Sequence, residues 1–259
     1  MLYSESNADV MNEIFTVRLA DTNIKIEART GLLREFFKDY VTEGKAEYCI
    51  SISDADLDFE KHLLQETANY EESVSYQYED RLLGTLAVHR KIADCLVDRN
   101  TVLLHGSAVM VDGEGYVFTA PSGTGKSTHA RLWRDLLGER AVMINDDKPF
   151  VHIANGGAMV YGAPWDGKHR LSTNTKATLK SICILERAEK NTIEEISEAQ
   201  AFDVFVRQIY RPKSPDKLIR TLKLVDELGK SVKLYRLGCN MNSDAAEISF
   251  SVMSGREKV

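Results

Sequence analysis

Cysteine is scarce and scattered in this chain: Cys49, Cys95, Cys183 and Cys239 form no C-x-x-C pair, and no histidines cluster at metal-ligand spacing. That excludes a disulfide framework or a structural zinc as the source of stability. Proline is scarce too, with five in 259 residues, and there is neither a low-complexity linker nor an internal repeat. No apolar run approaches the ~18–20 residues that a membrane span needs, so no membrane contact is expected. The opening Met1-Leu-Tyr-Ser-Glu-Ser is polar and acidic, unlike a secretory leader, and the cytoplasm is the expected compartment. Basic charge is in deficit: 33 Lys and Arg against 39 Asp and Glu leave a formal net charge of −6. That balance argues against broad nucleic-acid binding, though not against a local basic pocket. What remains is an ordinary globular composition, 43% hydrophobic and 28% charged, enough for one large domain or a core with a smaller companion.

Two textures follow one another along the chain. Residues 1–85 read as a small β-rich unit. Phe15, Val17 and Leu19 alternate with polar residues, as do Ile24, Ile26 and Ala28, with Asp21-Thr-Asn23 between them, which predicts a hairpin. Glu47–Ser53 predicts another strand, an unassigned acidic stretch follows, and Tyr70–Tyr78 is a further strand candidate. A helix is predicted over Leu82–Asp98. Residues 86–259 read as an α/β domain. Ala108–Val111 and Tyr116–Thr119 flank the turn Asp112-Gly-Glu-Gly115. Thr128–Leu137 has helical character, with Gly138 where a C-cap glycine belongs. Ala141–Asn145 reads as a buried strand, Phe150–Ile153 and Ala158–Tyr161 as a hairpin around Asn155-Gly-Gly157, and Leu179–Leu185 as a strand in which Cys183 is a small buried hydrophobe. Phe202–Ile209 and Asp216–Leu228 read as helices.

The strongest chemical signal is Ala120-Pro-Ser-Gly-Thr-Gly-Lys-Ser127, between a predicted strand and a predicted helix. Phosphate oxygens need several backbone N–H donors aimed inward, and glycines let the backbone approach that closely. A helix N-terminus adds about half a positive charge, and Lys126 adds a mobile full one. Ser122, Gly123, Thr124, Gly125, Lys126, Ser127 and Thr128 are therefore the nucleotide-binding candidates. The Ser127 hydroxyl is placed to ligate Mg²⁺. Some twenty residues on, Asp146-Asp147 ends an apolar strand, so that one carboxylate can hold the metal while the other accepts a proton.

His105-Gly106, before the hairpin, is either a structural histidine or one near the reacting groups. Trp165, Asp166, Lys168 and Arg170, in a loop expected to be exposed and bracketed by Gly162 and Gly167, are either a solvated turn or a substrate site in which Lys168 and Arg170 grip phosphate or an acidic group. Arg211, with Arg207 and Lys213, is either a second basic grip or an ordinary helix end.

In this order, His105-Gly106, Ser122–Ser127 and Ile144-Asn-Asp-Asp147 resemble the HPr kinase/phosphorylase and phosphoenolpyruvate carboxykinase superfamily over about Leu103–Arg170. The fold that the resemblance implies is α/β, an HPr kinase/phosphoenolpyruvate carboxykinase-like P-loop core with a small N-terminal β-rich unit. It implies that Lys126 holds the β- and γ-phosphates of ATP, Ser127 and Asp147 the Mg²⁺, and that Asp146 is the general base with His105 close by. Thr128-His-Ala-Arg-Leu-Trp departs from the Glu-x-Ala-Leu that follows the loop in HPr kinases, and the glycine-rich segment that grips HPr has no clear counterpart. HPr itself is therefore not the expected acceptor. A serine of a peptide or protein, or a small metabolite such as an amino acid, remains. The resemblance also makes a homo-oligomer plausible. A non-catalytic nucleotide sensor and an NTPase that drives assembly are the competing readings, and the N-terminal unit is expected to recruit a substrate or partner.

Overall fold

The computed structural model describes residues 12–29, 33–68, 80–154, 156–167 and 169–256. Two compact units divide between Ile92 and Ala93.

The first unit opens with β1 (Glu13–Leu19) and β2 (Thr22–Ala28), an antiparallel hairpin that buries Phe15, Val17, Leu19, Ile24, Ile26 and Ala28 as the alternation requires. The tight turn falls on Ala20 and Asp21, both at positive φ, one residue before the expected one. A short helix α1 (Leu33–Phe36) leads to β3 (Tyr48–Ile52), which pairs parallel to β2. The acidic stretch then folds as α2 (Asp54–Ala68). The Asp56 carboxylate folds back on its start: the Ser53 N–H and hydroxyl both donate to it, at 2.9 and 2.7 Å. The helix α3 (Asp80–Val97) supplies Arg90 and Lys91 to the same carboxylate, and Arg90 also bonds Glu60. Burial alone would raise the Asp56 carboxyl, but Lys91, Ser53 and Arg90 outweigh it and hold it well below the usual range. The strand candidate Tyr70–Tyr78 lies outside the described residues.

The second unit is a curled, mixed sheet. Its strands are β4 (Thr101–Leu103), β5 (Gly106–Val111), β6 (Glu114–Thr119), β7 (Ala141–Asn145), β8 (Phe150–Ala154), β9 (Gly157–Tyr161), β10 (Lys176–Arg187), β11 (Thr192–Glu195) and β12 (Lys233–Cys239). The order is β4-β8-β9-β10-β6-β5-β7, with β12 also against β10 and β11 beyond β12. The β5–β6 turn has Asp112 and Gly113 both at positive φ, the geometry that fits strand twist and favours an Asp-Gly pair. The hub is β10: it pairs parallel to β6 on one side, and on the other with β9 and then β12.

Helices α4 (Lys126–Leu137), α5 (Glu198–Gln208), α6 (Pro215–Ser231) and α7 (Asp244–Ser254) complete this unit. The period-2 alternation of the central strands separates two cores. Ala108, Val117, Ile182 and Ile184 join Phe205 of α5 and Leu224 and Leu228 of α6. Val109, Phe118, Cys183 and Leu185 join Trp133 of α4 and Phe250 of α7. The polar centre of the second core is Ser249. Its hydroxyl donates to Ala245 O at 2.8 Å, accepts the Trp133 indole N–H at 2.8 Å, and lies 3.0 Å from His129 Nε2. With the hydroxyl proton committed to Ala245, Nε2 is the nitrogen that carries the imidazole proton. Phe118 and Phe250 stand edge-on to Trp133, and the stripe His129, Ala130, Trp133 and Leu137 fixes how α4 lies on the sheet.

Candidate functional site

The loop between β6 and α4 begins at the fully buried Ala120. Gly123 and Gly125 have φ of 75° and 122°, where an L-residue is strained, and open space lies beside both. Thr124 bonds back to Pro121 O through its N–H and hydroxyl, which closes the loop. The helix starts at Lys126 with no side-chain cap on Gly125 and no acidic residue in its first turn, so its first N–H groups and their partial positive charge face outward. The Lys126 ammonium is buried and donates to Ala120 O and Pro121 O at 3.0 and 3.3 Å. Burial lowers its pKa, against the attraction of Asp147 and Asp146. Ser127 is exposed at the helix start, and the exposed Arg187 bonds Gly123 O.

The carboxylates are placed by the end of β7, and Asn145 does most of the placing. Its buried amide donates to Ala163 O and Trp165 O at 3.0 Å each, while its Oδ1 accepts the N–H groups of Asp147 and Lys148. Asp146 is 6% exposed and accepts a 2.7 Å bond from the buried Ser107 hydroxyl. A Cβ on Gly167 would stand 3.1 Å from Asp146 Oδ2, so the glycine leaves room for the second carboxylate oxygen. Asp147 is more open. Its Oδ1 lies 3.6 Å from His105 Nε2 and its Oδ2 3.9 Å from Lys148 Nζ.

His105 is held by two elements, the end of α5 and the end of β6. Its N–H donates to Gln208 O, its Nδ1 pairs with Gln208 Oε1 at 2.9 Å, and its carbonyl accepts the Thr119 hydroxyl. Burial, then Lys126, lowers its pKa, with Gln208 and Asp147 opposing. Gln208 Oε1 can only accept, so the bond to it places a proton on Nδ1, and Nε2 is the nitrogen that faces Asp147. The neighbouring glycine has a steric cause: a Cβ on Gly106 would lie 2.9 Å from Phe118 O.

A cavity of about 320 Å³ opens beside Ser127 and Asp146, and neither Asp147 nor His105 lines it. Ser127, Thr128 and Asp146 line it together with Arg131, Arg134 and His169, and Met143 and Leu171 form apolar walls. A larger open groove of about 600 Å³, between the start of α5 and the α6–β12 junction, contains none of the site residues.

The loop Ala163–Arg170 differs from its expected exposure. Ala163 and Trp165 are buried, with the Trp165 ring edge-on to Phe150, because Asn145 draws both carbonyls under the end of β7. The Trp165 ring is therefore not free to stack on a ligand. Asp166 is half-buried, which raises its pKa against the Ser172 N–H bond. His169 and Arg170 are exposed, Arg170 at φ 48°, and Lys168 lies outside the described residues. Arg211 is exposed just past the Leu104–Ile209 bridge, and neither Arg170 nor Arg211 lines the cavity.

Sequence reasoning passed over Asn145, Ser107, Gln208 and the Arg131–Arg134 pair. For Asn145 a signal existed: an amide ending an apolar strand directly before two aspartates.

No family model matches this sequence, and no curated protein does. Among solved structures the chain is similar to the Hpr(Ser) kinase/phosphatase from Coxiella burnetii, at a TM-score of 0.34 and 12% identity over 60% of this chain and 95% of that one. The likeness is distant, and a similarity at that level carries nothing about activity.

Proposed function

We propose that this chain transfers the γ-phosphoryl group of a magnesium-bound nucleoside triphosphate, expected to be ATP, to a hydroxyl acceptor. The observation that carries the reading is the uncapped start of α4, flanked by two positive-φ glycines and a buried lysine, with Asp146 and Ser127 on a shared cavity. The residues fit the ligand. The loop offers outward N–H groups and no carboxylate to repel phosphate. Among the described residues no group of three or more His, Cys, Asp or Glu side chains could hold a metal alone. That agrees with Mg²⁺, which keeps several waters and shares its ligands with substrate phosphates.

When bound, Mg²⁺ neutralises charge on the β- and γ-phosphates; Ser127 and Asp147 are the side chains assigned to hold it. Lys126 exchanges its two loop carbonyls for phosphate oxygens, which charge-assisted bonds favour. Asp146, oriented by Ser107 and given room by Gly167, accepts the acceptor's hydroxyl proton. His105 stands beside Asp147, 3.6 Å from its Oδ1, close to the reacting groups. Catalysis in this scheme is positioning plus charge stabilisation.

The test is γ-labelled ATP with magnesium, incubated with desalted host lysate plus its re-added small-molecule pool, with label followed into each fraction. Wild type should label one fraction, and Asp146→Asn should label neither while still binding Mg·ATP. Collapse of binding in that variant would mean that the two aspartates have exchanged roles. Binding without transfer by wild type would refute the kinase and leave a nucleotide-dependent sensor.

A further inference from the structure

We propose that the cavity beside Ser127 and Asp146 is the acceptor subsite, and that Arg131 and Arg134 there select a hydroxyl compound that carries a carboxylate. The inference rests on the phosphotransferase reading and narrows its substrate class. Ser127, Arg131 and Arg134 fall at i, i+4 and i+7 on α4, one continuous face, while the stripe from His129 to Leu137 is buried against the sheet. Both arginines line the same cavity as Ser127 and Asp146.

Neither arginine side chain has a hydrogen-bond or ion-pair partner among the described residues, although the acidic Asp135 follows Arg131 by one turn. Two like charges one turn apart on a helix repel, and this chain has acidic residues in excess that could have offset them. A planar guanidinium fork matches carboxylate geometry in a bidentate way. Two guanidiniums against the one carboxylate of Asp146 leave a single positive charge over, which a monoanion balances. The volume, about 320 Å³, sits at the small end of ligand pockets, roughly 300–1,000 Å³, and suits a hydroxy-acid end group.

With the carboxylate anchored along α4, the hydroxyl falls beside Asp146. The acceptor oxygen forms its bond to the γ-phosphorus as the bond from that phosphorus to the β–γ bridging oxygen breaks. The hydroxyl proton passes to Asp146, and the electron pair leaves on the nucleoside diphosphate.

The experiment uses the full chain with Mg·ATP and four probes: L-serine, L-serinamide, a short peptide ending in serine with a free carboxylate, and the same peptide amidated. Wild type should phosphorylate at least one free acid with kcat/KM about tenfold or more above its amide. Transfer to L-serine points to a free amino acid, and transfer to the peptide acid alone points to a peptide C-terminus. In the double variant Arg131→Met, Arg134→Met, KM for the acid should rise about tenfold or more and the acid preference should vanish, with Mg·ATP affinity and circular dichroism unchanged. Equal use of acids and amides overturns the proposal. So does a double variant that loses Mg·ATP binding, which would assign the arginines to the nucleotide. Nucleotide binding with none of the acids bound or phosphorylated overturns it as well. A wild type that fails to bind Mg·ATP is a separate result, because it removes the phosphotransferase reading itself.

Discussion

Ser249→Ala should unlock α4 from α7, at a cost that can be worked from the contacts. The hydroxyl serves Trp133 Nε1 at 2.8 Å and His129 Nε2 at 3.0 Å, both buried, and hands its own proton to Ala245 O. Removing it orphans two buried donors, each worth roughly 1–3 kcal/mol. The better helix propensity of alanine returns about half a kcal/mol. The net expectation is a loss of about 1.5–5.5 kcal/mol, a large share of the ~5–15 kcal/mol that a folded protein has. Both tryptophans, Trp133 and Trp165, lie in the second unit, so urea unfolding followed by tryptophan fluorescence reads this unit alone. At a slope of about 1–3 kcal/mol per molar, the midpoint should fall by about 0.5 M or more. Ser251→Ala, on the same helix but away from this contact, is the control and should stay within about 0.5 kcal/mol. A loss in Ser249→Ala below about 1 kcal/mol, or one matched by the control, would refute the shared hydroxyl as the lock between these helices.

Other expectations follow from the same geometry. Burial holds His129 neutral, with its pKa lowered from 6.5 to about 4. The fold therefore binds fewer protons than the unfolded chain, and the contribution is complete above pH 6.5 and lost as pH falls toward 4. By pH 5 about 2 kcal/mol should be gone, and urea titrations of His129→Leu across pH should lack that part of the slope. Gly162→Ala would put a Cβ 2.0 Å from Thr173 O and 2.9 Å from Ile144 O; neither is a flexible side-chain end, so thermal melts should show severe destabilisation or no soluble protein. Asn145→Asp keeps the shape but cannot donate to Ala163 O and Trp165 O. A stability loss of about 2–4 kcal/mol and loss of phosphoryl transfer should appear together in denaturation and labelling assays. Lys126→Met removes a buried ammonium, so stability should hold while Mg·ATP affinity in calorimetry falls about tenfold or more.

The parts of the fold readable from sequence were those whose signal is local. The β1–β2 and β5–β6 hairpins follow from alternation around a tight turn, and α4 from a glycine-rich start and Gly138 at its end. Helix α2 escaped because it shows no buried apolar stripe: among its described side chains the buried one is Glu60, and Leu63 is exposed, although Ser53-x-x-Asp56 marked its start. Strand β12 is buried in adjacent positions, Leu234 and Tyr235, which breaks the alternation, and α7 buries Ser249 and Ser254 among its apolar residues, which blurs its period. At the site, the residue types that carry charge or need a special backbone were visible, namely Lys126, Asp146, Asp147 and His105. The residues that aim them were not. Gln208 reaches His105 across 103 positions and Ser107 reaches Asp146 across 39, separations that no pattern in a single sequence records. The pairing of Arg131 and Arg134 with Ser127 needed the knowledge of which face of α4 the sheet covers.

The placement of β10 also sets an order of events in time. The loop is complete in sequence at Ser127, yet the strand leading into it, β6, takes its parallel partner from Thr178–Ile184, and the helix leaving it leans on Phe250. Parallel pairing across such a span pays its loop-closure entropy before any contact repays it. A nascent chain that has passed the loop thus carries the proposed phosphate site without its backing for well over a hundred further residues. Binding competence should arrive late and abruptly during synthesis, once α7 has emerged and docked, instead of growing with each element added.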